Sequence, residues 1–336
     1  SRRRHTRYIS VTGVQTCALP ICAMKAIRIE GIGGPEQLKV VEIESAKALS
    51  GEVLINVELA GVNFVDVYHR RGQYQLPLPT GLGIEGIGRS TSGEKYFWLS
   101  AMGSYAQQIT IPRKNLTAIP DTQLSNEELL PLLCQGMTAH YLANSAYPAQ
   151  SGEFALVTAA AGGVGMLLIQ LLKEKGVEVI ALTSSIERAQ IARECGADYV
   201  GTYEEMSTLV NQVTSGAGVN VVYDSVGADA FDDCLESLAH GGMYVLYGGA
   251  SGPVPPFDLM RLNSRSLAIR RPTLATYTAT ESTRVQRLTE LINLKSQNKL
   301  KYPATKVFPL NQTADAHILI ESRSYSGKIG LDPWKI

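Results

Sequence analysis

Two patterns of apolar and polar positions divide the chain. Between Lys25 and about Thr117, short runs alternate apolar and polar side chains or are rich in β-branched residues, and Gly and Pro separate them. Runs of this kind predict β-strands. The clearest are KAIRIE at 25–30, LKVVEIE at 38–44 and EVLINVEL at 52–59.

From about Glu153 the pattern changes to apolar strands that alternate with helices. FALVTA at 154–159 precedes GVGMLLIQLLKEKG, whose apolar residues recur at the helical period and which ends on a glycine. Further strands are predicted at VEVIAL (177–182), VNVVYD (219–224) and GMYVLYG (242–248), with helices at 186–195, 204–214 and 228–238 and a short segment, DYVGTY, between the first two helices. This alternation predicts an α/β fold with a doubly wound parallel sheet.

The last part of the chain mixes both patterns. It predicts a long helix near 281–297, a short strand at KVFPL, an amphipathic helix near 312–322 and a last strand at KIGL. From the first methionine, Met24, the chain has roughly 310 residues, and a chain of this length is expected to form two domains.

The first 21 residues, SRRRHTRYISVTGVQTCALPI, carry four arginines and no acid. A secretory or twin-arginine signal is one interpretation, but residues 11–21 lack the apolar core of about 7–15 residues that a secretory signal needs. The segment instead resembles a translated DNA sequencing adapter. We therefore interpret residues 1–23 as a non-native leader, expect native sequence from about Met24, and exclude the leader from predictions of fold and localisation.

The charge balance argues against a polyanionic partner. The chain has 31 basic and 31 acidic side chains; without the four leader arginines, 27 basic residues face 31 acidic ones, a net charge of about −4. Neither nucleic acid nor a membrane is expected as a partner, because no basic excess exists and no apolar stretch approaches ~18 residues. Cys134, Cys195 and Cys234 are scattered, which predicts a cytoplasmic protein without a disulfide framework.

The glycine-rich turn AAAGGVG at 159–165 joins a predicted strand to a predicted helix. A dinucleotide pyrophosphate needs such a tight turn, close backbone approach and free N–H groups at a helix start. The pattern departs from G-x-G-x-x-G, so a plain tight turn is the alternative. The next strand, at the expected distance, favours cofactor binding.

The end of that next strand indicates which dinucleotide. Sites specific for NAD usually place Asp or Glu there to bind the ribose 2′-hydroxyl. Here the strand runs into Thr183, Ser184 and Ser185, with Arg188 one helical turn later. Hydroxyls and a guanidinium suit a 2′-phosphate, which predicts NADPH. In the alternative, Ser184 is only a helix N-cap and Arg188 a solvated residue.

Six motifs then carry a family resemblance. They are GVNFVDVYHRRGQY, PTGLGIEGIG, QGMTAHYL, AAAGGVG, VVYDSVG and ESRSYSGKIGL, in this order. Together they make the chain similar to the zeta-crystallin-like quinone oxidoreductases of the medium-chain dehydrogenase/reductase superfamily. The resemblance implies a GroES-like catalytic domain at 24–145 and 281–336, a Rossmann domain at 146–280, NADPH as hydride donor, and a homodimer joined through the last Rossmann strand near 242–248.

The resemblance also bears on metal binding. Zinc-dependent members of the superfamily place Cys, His-Glu and a further Cys around the ion, whereas those positions here look like Asn63, Ile84 and Cys134. One thiolate cannot hold Zn²⁺, which takes three protein ligands and a water. We therefore expect a metal-free enzyme, in which Cys134 is an ordinary buried thiol.

The resemblance places Asn63, Tyr68 and Tyr74 around the nicotinamide and the substrate. Hydride transfer to a quinone builds negative charge on oxygen, which an amide N–H or a phenol can stabilise. A tyrosine can also stack on a flat ring. The tyrosines could equally only line the pocket, since a quinone is electrophilic enough to need little acid catalysis.

The remaining cofactor contacts are implied by the resemblance and by strand ends. Near the nicotinamide they are Phe64, Val65, Asp66, Val67, Tyr68 and Thr138, and at the pyrophosphate Gly162, Gly163, Val164 and Gly165. Around the adenosine phosphate they are Ser184, Arg188 and Tyr203, and beside the sheet Ser225, Tyr247, Gly248, Gly249, Ala250, Ser251, Gly252 and Arg323. Strand-end turns and a surface ion pair of Arg323 are the alternatives.

One stretch departs from the family pattern. After Gly88 the chain has RSTSGEKYFWLSAMGSYAQQ, several residues shorter than usual, with GEKYFW in place of the usual strand. The sequence therefore makes no prediction about the shape of the substrate pocket. NADPH-dependent quinone reduction is the predicted function; reduction of activated C=C bonds in enones or 2-alkenals, and a non-catalytic, crystallin-like NADPH-binding protein, are the alternatives.

Overall fold

A computed structural model describes residues 23–336. The predicted leader lies outside the described residues except for Ala23, which begins the first strand. In this range the strands are β1 Ala23–Ile29, β2 Lys39–Glu44, β3 Glu52–Val62, β4 Thr80–Gly81, β5 Glu85–Ser90, β6 Lys95–Trp98, β7 Gln108–Pro112, β8 Thr117–Ala118, β9 Phe154–Val157, β10 Glu178–Thr183, β11 Tyr199–Thr202, β12 Val219–Asp224, β13 Leu238–Leu246, β14 Ala268–Arg270, β15 Lys306–Pro309 and β16 Ile329–Asp332.

The α-helices within the same range are α1 Phe64–Arg70, α2 Asn126–Leu129, α3 Cys134–Tyr141, α4 Gly163–Glu174, α5 Ile186–Glu194, α6 Met206–Val213, α7 Phe231–Glu236, α8 Leu274–Tyr277, α9 Glu281–Ser296 and α10 Thr313–Ser322. None of these helices combines the length and the apolar character that crossing a membrane would require.

A six-stranded parallel sheet forms the middle of the described chain, in the order β11-β10-β9-β12-β13-β14. Its inner strands β9 and β10 are almost entirely buried because helices cover both faces of the sheet. Leu167 and Ile169 of α4 pack on one face, and Phe231 and Leu235 of α7 pack on the other. This arrangement confirms the predicted α/β class with a doubly wound parallel sheet.

A second, mixed sheet combines both ends of the described chain. Its path is β15-β16-β3-β5-β6-β8, and β7 pairs with β3. Strand β16 lies between β15 and β3, so a C-terminal strand completes a sheet begun by an N-terminal one. Buried Ile55, Val57 and Trp98 form its core with Leu331 of β16. A smaller sheet, β2-β1-β4, packs beside it.

Several boundaries differ from prediction. The last strand of the parallel sheet is β14 at 268–270, not the segment near 242–248, because three residues beyond an irregular loop give too little pattern to predict a strand. The helix predicted at 228–238 ends at Glu236, since β13 already begins at Leu238. GEKYFW does supply a strand, β6, which pairs with β5 and β8.

The chain enters and leaves the parallel sheet at neighbouring points. The ring of Tyr141, at the end of α3, stacks on that of Tyr277 at the end of α8, with centroids 4.6 Å apart and planes 4° apart. Arg270 donates to the carbonyl oxygen of Ala146. These contacts join the segment before the sheet to the segment after it, while the residue boundaries of the two domains stay a prediction.

Candidate active site

The turn between β9 and α4 is shaped to receive a phosphate group. Ala159 has a left-handed backbone (φ +44°), and Gly162 is the N-cap of α4. A Cβ on Gly165 would lie 2.6 Å from the carbonyl oxygen of Ala159 and 2.7 Å from that of Ala160. The first turn of α4, residues 163–165, presents N–H groups without acceptors inside the helix, as an anion requires. These residues fit a dinucleotide pyrophosphate.

The guanidinium of Arg188 lies beside the carboxyl end of β10. Arg188 donates to the carbonyl oxygens of Ala161, at 2.9 Å, and Arg323. Arg323 in turn donates to the carbonyl oxygen of Ala250 at 3.1 Å. Arg323 therefore reaches the parallel sheet from the C-terminal segment, and its backbone carbonyl oxygen holds the guanidinium of Arg188.

Ser184 is exposed at the same strand end, and its neighbour caps the helix. The Oγ of Ser185 accepts the N–H of Arg188 at 3.4 Å, which corrects the alternative that Ser184 is the N-cap of α5. The hydroxyl of Tyr203 accepts the N–H of Ala159 at 2.8 Å, so this ring contacts the glycine turn. Burial raises the pKa of Tyr203 to about 12. Ser184 thus keeps its hydroxyl free for a ligand.

Asp224, which sequence reasoning missed, joins the strand ends of the parallel sheet. Its buried carboxylate accepts from the hydroxyls of Thr158 and Tyr244, each at 2.6 Å. It also accepts the N–H groups of Val226 and Gly227, each at 2.9 Å. The turn after β12 is therefore held against the end of β9, at the edge where a cofactor would cross the sheet.

The predicted run after β13 packs against this turn. Residues 247–252 are all partly exposed. A Cβ on Gly248 would lie 2.7 Å from the carbonyl oxygen of Ser225, and the N–H of Ala250 donates to the same oxygen at 3.0 Å. The structure thus brings the predicted strand-end residues together along one edge of the sheet.

Helix α1 carries an aromatic group opposite that edge. The ring of Tyr68 lies 6.0 Å from Phe64 and 5.7 Å, edge-on, from Tyr74, and the guanidinium of Arg323 lies 5.9 Å from the centre of the Phe64 ring. Burial and the neighbouring Tyr74 raise the pKa of Tyr68, while the backbone of Gly249 and the charge of Arg323 lower it. Tyr68 therefore lies beside the run after β13, and Tyr74 is half exposed.

Asn63, the N-cap of α1, belongs to a buried polar cluster with Glu85 and Lys328. Its Nδ2 donates to Glu85 Oε1 at 2.9 Å, and Lys328 Nζ donates to Asn63 Oδ1 at 2.8 Å and to the same oxygen of Glu85. Glu85 Oε2 accepts the N–H of Cys134, the first residue of α3, at 2.9 Å. Thr138, one turn along α3, is nearly buried. We call Asn63, Glu85 and Lys328 the buried triad.

Two predicted cofactor contacts lie in the interior instead. Asp66 is 0% exposed and Val67 1% exposed, whereas Val65 is partly exposed. The carboxylate of Asp66 accepts the N–H of Asn63 at 2.8 Å and the hydroxyl of Tyr105 at 2.9 Å. The helical period places both side chains on the inner face of α1, so a contact of residues 66 and 67 with a cofactor stays a prediction.

A chain of hydrogen bonds links Asp66 to α10. Arg70 contacts both oxygens of Glu321, at 2.8 and 2.9 Å, and donates to Nδ1 of His317 at 3.0 Å. Nε2 of His317 therefore carries the hydrogen and faces the hydroxyl oxygen of Tyr105 at 3.3 Å, while Tyr105 donates to Asp66. Burial raises the pKa of Asp66 to about 7 and lowers that of His317 to about 3. We call these residues the α1–α10 network.

Within residues 23–336, no three His, Cys, Asp or Glu side chains are grouped as metal ligands. The positions considered for zinc hold Asn63, Ile84 and Cys134, and the ammonium of Lys328 lies beside the first of them. Burial raises the pKa of the Cys134 thiol, which disfavours the thiolate that a metal would need. Lys328 was missed although it lies in the motif SGKIGL, because nothing in a sequence motif shows which distant residue a lysine contacts.

Comparison with known proteins finds a family match in the part of the chain that follows the glycine turn. Residues 163–293 match the zinc-binding dehydrogenase family, a segment that contains α4 to α8 and most of α9 but none of positions 63, 84 and 134. The family description therefore concerns the cofactor-binding half and does not by itself indicate zinc here.

Full-length relatives cover nearly the whole chain. A quinone oxidoreductase of Pseudomonas aeruginosa is 33% identical over 326 residues, covering 92% of this chain and 99% of the relative. The Escherichia coli quinone oxidoreductase, solved in complex with NADPH, superposes with a TM-score of 0.87 at 31% identity, covering 92% of this chain and 100% of that one. A 2-haloacrylate reductase of a Burkholderia species is 32% identical over 324 residues, covering 90% of this chain and 96% of the relative.

Proposed function

Because the chain belongs to the quinone oxidoreductase family of medium-chain dehydrogenase/reductases, we propose that it reduces quinones with NADPH, by hydride transfer and without a metal. One observation carries the choice of cofactor: the guanidinium of Arg188 lies near exposed Ser184, where an NAD-specific site would place a carboxylate. Guanidinium groups and a free hydroxyl complement a 2′-phosphate.

The cofactor, when bound, supplies the hydride. In the proposed arrangement the first turn of α4 binds the pyrophosphate, and the run 247–252 supports the middle of the cofactor along the sheet edge. Tyr68 and Tyr74 border the acceptor and exclude water from it. The carboxamide of Asn63 donates to the acceptor oxygen on which negative charge develops. Orientation by these residues carries most of the rate enhancement.

Reduction of an activated C=C bond is the second candidate. A 2-haloacrylate reductase is among the relatives of the chain, and an α,β-unsaturated carbonyl also gains negative charge on oxygen when hydride adds. Such acceptors are less electrophilic than quinones, so they depend more on a hydrogen-bond donor at that oxygen. A non-catalytic, crystallin-like NADPH-binding protein is the remaining alternative.

We further propose that the protein is a cytoplasmic homodimer joined at β14. This strand pairs only with β13 among the strands described, so its outer edge is open to a second copy. Leu259 and Met260, just before β14, are 70% and 66% exposed and would be covered in such a dimer. Within residues 23–336, Cys134, Cys195 and Cys234 are free thiols, which agrees with a reducing compartment.

The decisive experiment follows coenzyme absorbance in the presence and absence of 1,4-benzoquinone. We expect quinone-dependent loss of NADPH, with NADH consumed much more slowly. Consumption of NADPH only with an enone would select the second candidate. Binding of NADPH without consumption in either case would select the non-catalytic alternative.

A further inference from the structure

Lys328 is a fully buried cation with no role in the function proposed so far. Its side chain and that of Glu85 are both 0% exposed. Each of its three ammonium hydrogens has an acceptor: the carbonyl oxygen of Val62 at 3.4 Å, Asn63 Oδ1 at 2.8 Å, and Glu85 Oε1. A charge taken out of water is expensive unless it is paired, so this position needs an explanation.

The local fold makes room for the ion pair. Lys328 directly precedes β16, Glu85 begins β5, and β3 lies between these two strands. Gly61 of β3 is the register partner of Glu85, and a Cβ there would lie 2.0 Å from Glu85 Oε1. A glycine is therefore required for the carboxylate to reach Asn63 and the ammonium at once.

The two charges determine which way the carboxamide of Asn63 points. Oδ1 faces the ammonium of Lys328, and Nδ2 faces the carboxylate of Glu85. Exchange of the two groups by rotation about the side chain would put N–H against the ammonium and the carbonyl oxygen against the carboxylate. Both contacts would be repulsive in a buried site, where electrostatic interactions are strong.

One hydrogen of Nδ2 is left for a ligand. Nδ2 has two hydrogens, Glu85 takes one, and no acceptor for the other is present among residues 23–336. Asn63 is nearly buried, with 6% of its surface exposed. Asn63 therefore has a free N–H donor, whereas its carbonyl oxygen is already bound to Lys328.

We propose that Lys328 is a positioning residue that locks the carboxamide of Asn63 as a hydrogen-bond donor toward the acceptor oxygen. With Glu85, it makes the site specific for acceptors whose oxygen gains negative charge. The assignment rests on the proposed function, because it needs an acceptor that receives hydride. Its effect is greatest for weakly electrophilic acceptors such as cyclohex-2-enone, which need stabilisation of the developing charge, and smallest for 1,4-benzoquinone.

A double-mutant cycle tests whether Lys328 acts through Asn63. The neutral pair Lys328→Met with Glu85→Gln removes both charges together, so that no unpaired charge is left buried. We expect kcat for cyclohex-2-enone to fall about tenfold or more and kcat for 1,4-benzoquinone by less than about threefold, since loss of one donor of this kind lowers kcat by up to ~10²–10³. The Kd for NADPH should not change.

Asn63→Ala completes the cycle. In the wild-type background it should lower enone reduction strongly; in the neutral-pair background it should add little, because the donor is already unlocked. Equal losses in both backgrounds would overturn the assignment, as would equal losses for the two acceptors. Lys328→Arg keeps the charge and should restore the wild-type ratio of enone to quinone rates, which a purely structural role would not require.

The controls separate failure of the assignment from other failures. Where the neutral pair binds NADPH poorly, the same cycle is measured with Lys328→Gln and Glu85→Gln, which retain polar partners for Asn63, and the same outcomes apply. A wild-type protein that consumes NADPH with neither acceptor rejects the proposed function, and the assignment falls with it. An active wild type with an additive cycle rejects the role of Lys328 alone.

Discussion

At the start of α5, two neighbouring serines have separate tasks. Ser185 caps the helix, and Ser184 is exposed beside Arg188. The difference matters because a capping hydroxyl is occupied by the backbone, whereas a free hydroxyl can donate to a phosphate. Arg188 spans both tasks, since its backbone N–H is capped while its guanidinium lies toward the cofactor side.

The coenzyme preference should therefore change with Ser184 and Arg188. In Ser184→Asp with Arg188→Ala, the new carboxylate repels a 2′-phosphate and the charged partner is lost. Hydrogen bonds to charged groups contribute about 1.5–3 kcal/mol, so the ratio of NADPH to NADH affinity should fall roughly tenfold to a hundredfold. Coenzyme Kd values measured by fluorescence titration give this ratio.

Ser185→Ala is the matched control. It removes the N-cap at a cost of about 1 kcal/mol in stability but leaves both phosphate-binding groups, so the coenzyme preference should stay at the wild-type ratio. An unchanged ratio in the double variant would reject the phosphate site.

At the scale of elements, the connection from β9 to α4 is limited by contact between backbones. Gly165 faces two carbonyl oxygens of the preceding turn, which cannot move aside as the end of a flexible side chain can. Gly162 is less crowded, with the carbonyl oxygen of Ala159 at 3.0 Å from a Cβ. The two glycines of one turn thus differ in how strictly they are required.

Gly165→Ala should push α4 away from the turn. We expect a loss of about 1–3 kcal/mol in the free energy of unfolding, as for other overpacked sites, and weaker NADPH binding because the helix start moves. Urea unfolding and coenzyme titration measure both. Gly162→Ala should have a smaller effect on both quantities, and equal effects would contradict the steric argument.

At the scale of the whole molecule, the α1–α10 network ties the beginning of the catalytic part to its end. Asp66 and His317 are both buried, and burial disfavours the charged form of each. It therefore raises the pKa of Asp66 and lowers the pKa of His317. The raised pKa of Asp66 stabilises the fold at low pH, and this contribution is lost as pH rises from about 4 to about 7. The lowered pKa of His317 stabilises the fold above about 6.5, and that contribution is lost as pH falls. Between these limits the two contributions largely cancel.

Asp66→Asn should expose the contribution of His317. The carboxamide can still accept from Asn63 and Tyr105, but the carboxyl titration is gone. Between pH 4.5 and 6.5, the free energy of unfolding of the variant should rise by about 3 kcal/mol relative to wild type, from a difference of about two pH units at 1.36 kcal/mol each. Urea unfolding at the two pH values tests this. Exposed Asp121→Asn should follow the wild-type profile, and a parallel profile for Asp66→Asn would contradict the expectation.

How much of this site could be predicted depends on how far apart in the sequence the contacting residues are. The glycine turn and the strand end at Ser184 depend on neighbours in the chain, so periodicity and glycine placement were sufficient to predict them. Lys328 and Glu85 are 243 residues apart, and no local pattern indicates that they meet. The burial of Asp66 and Val67 could not be predicted, because a motif names the residues of a short helix without showing which of them face inward. Strand β14 was missed because three residues carry almost no periodicity.

The stacked rings of Tyr141 and Tyr277 close a narrow neck between the β-rich part and the parallel sheet. If the predicted domain division holds, a unit that enters and leaves at neighbouring points can be exchanged or lengthened without displacing a strand of the β-rich part. Coenzyme choice and acceptor choice could then diverge separately, and Arg323 is one residue of the C-terminal segment whose side chain contacts the parallel-sheet part.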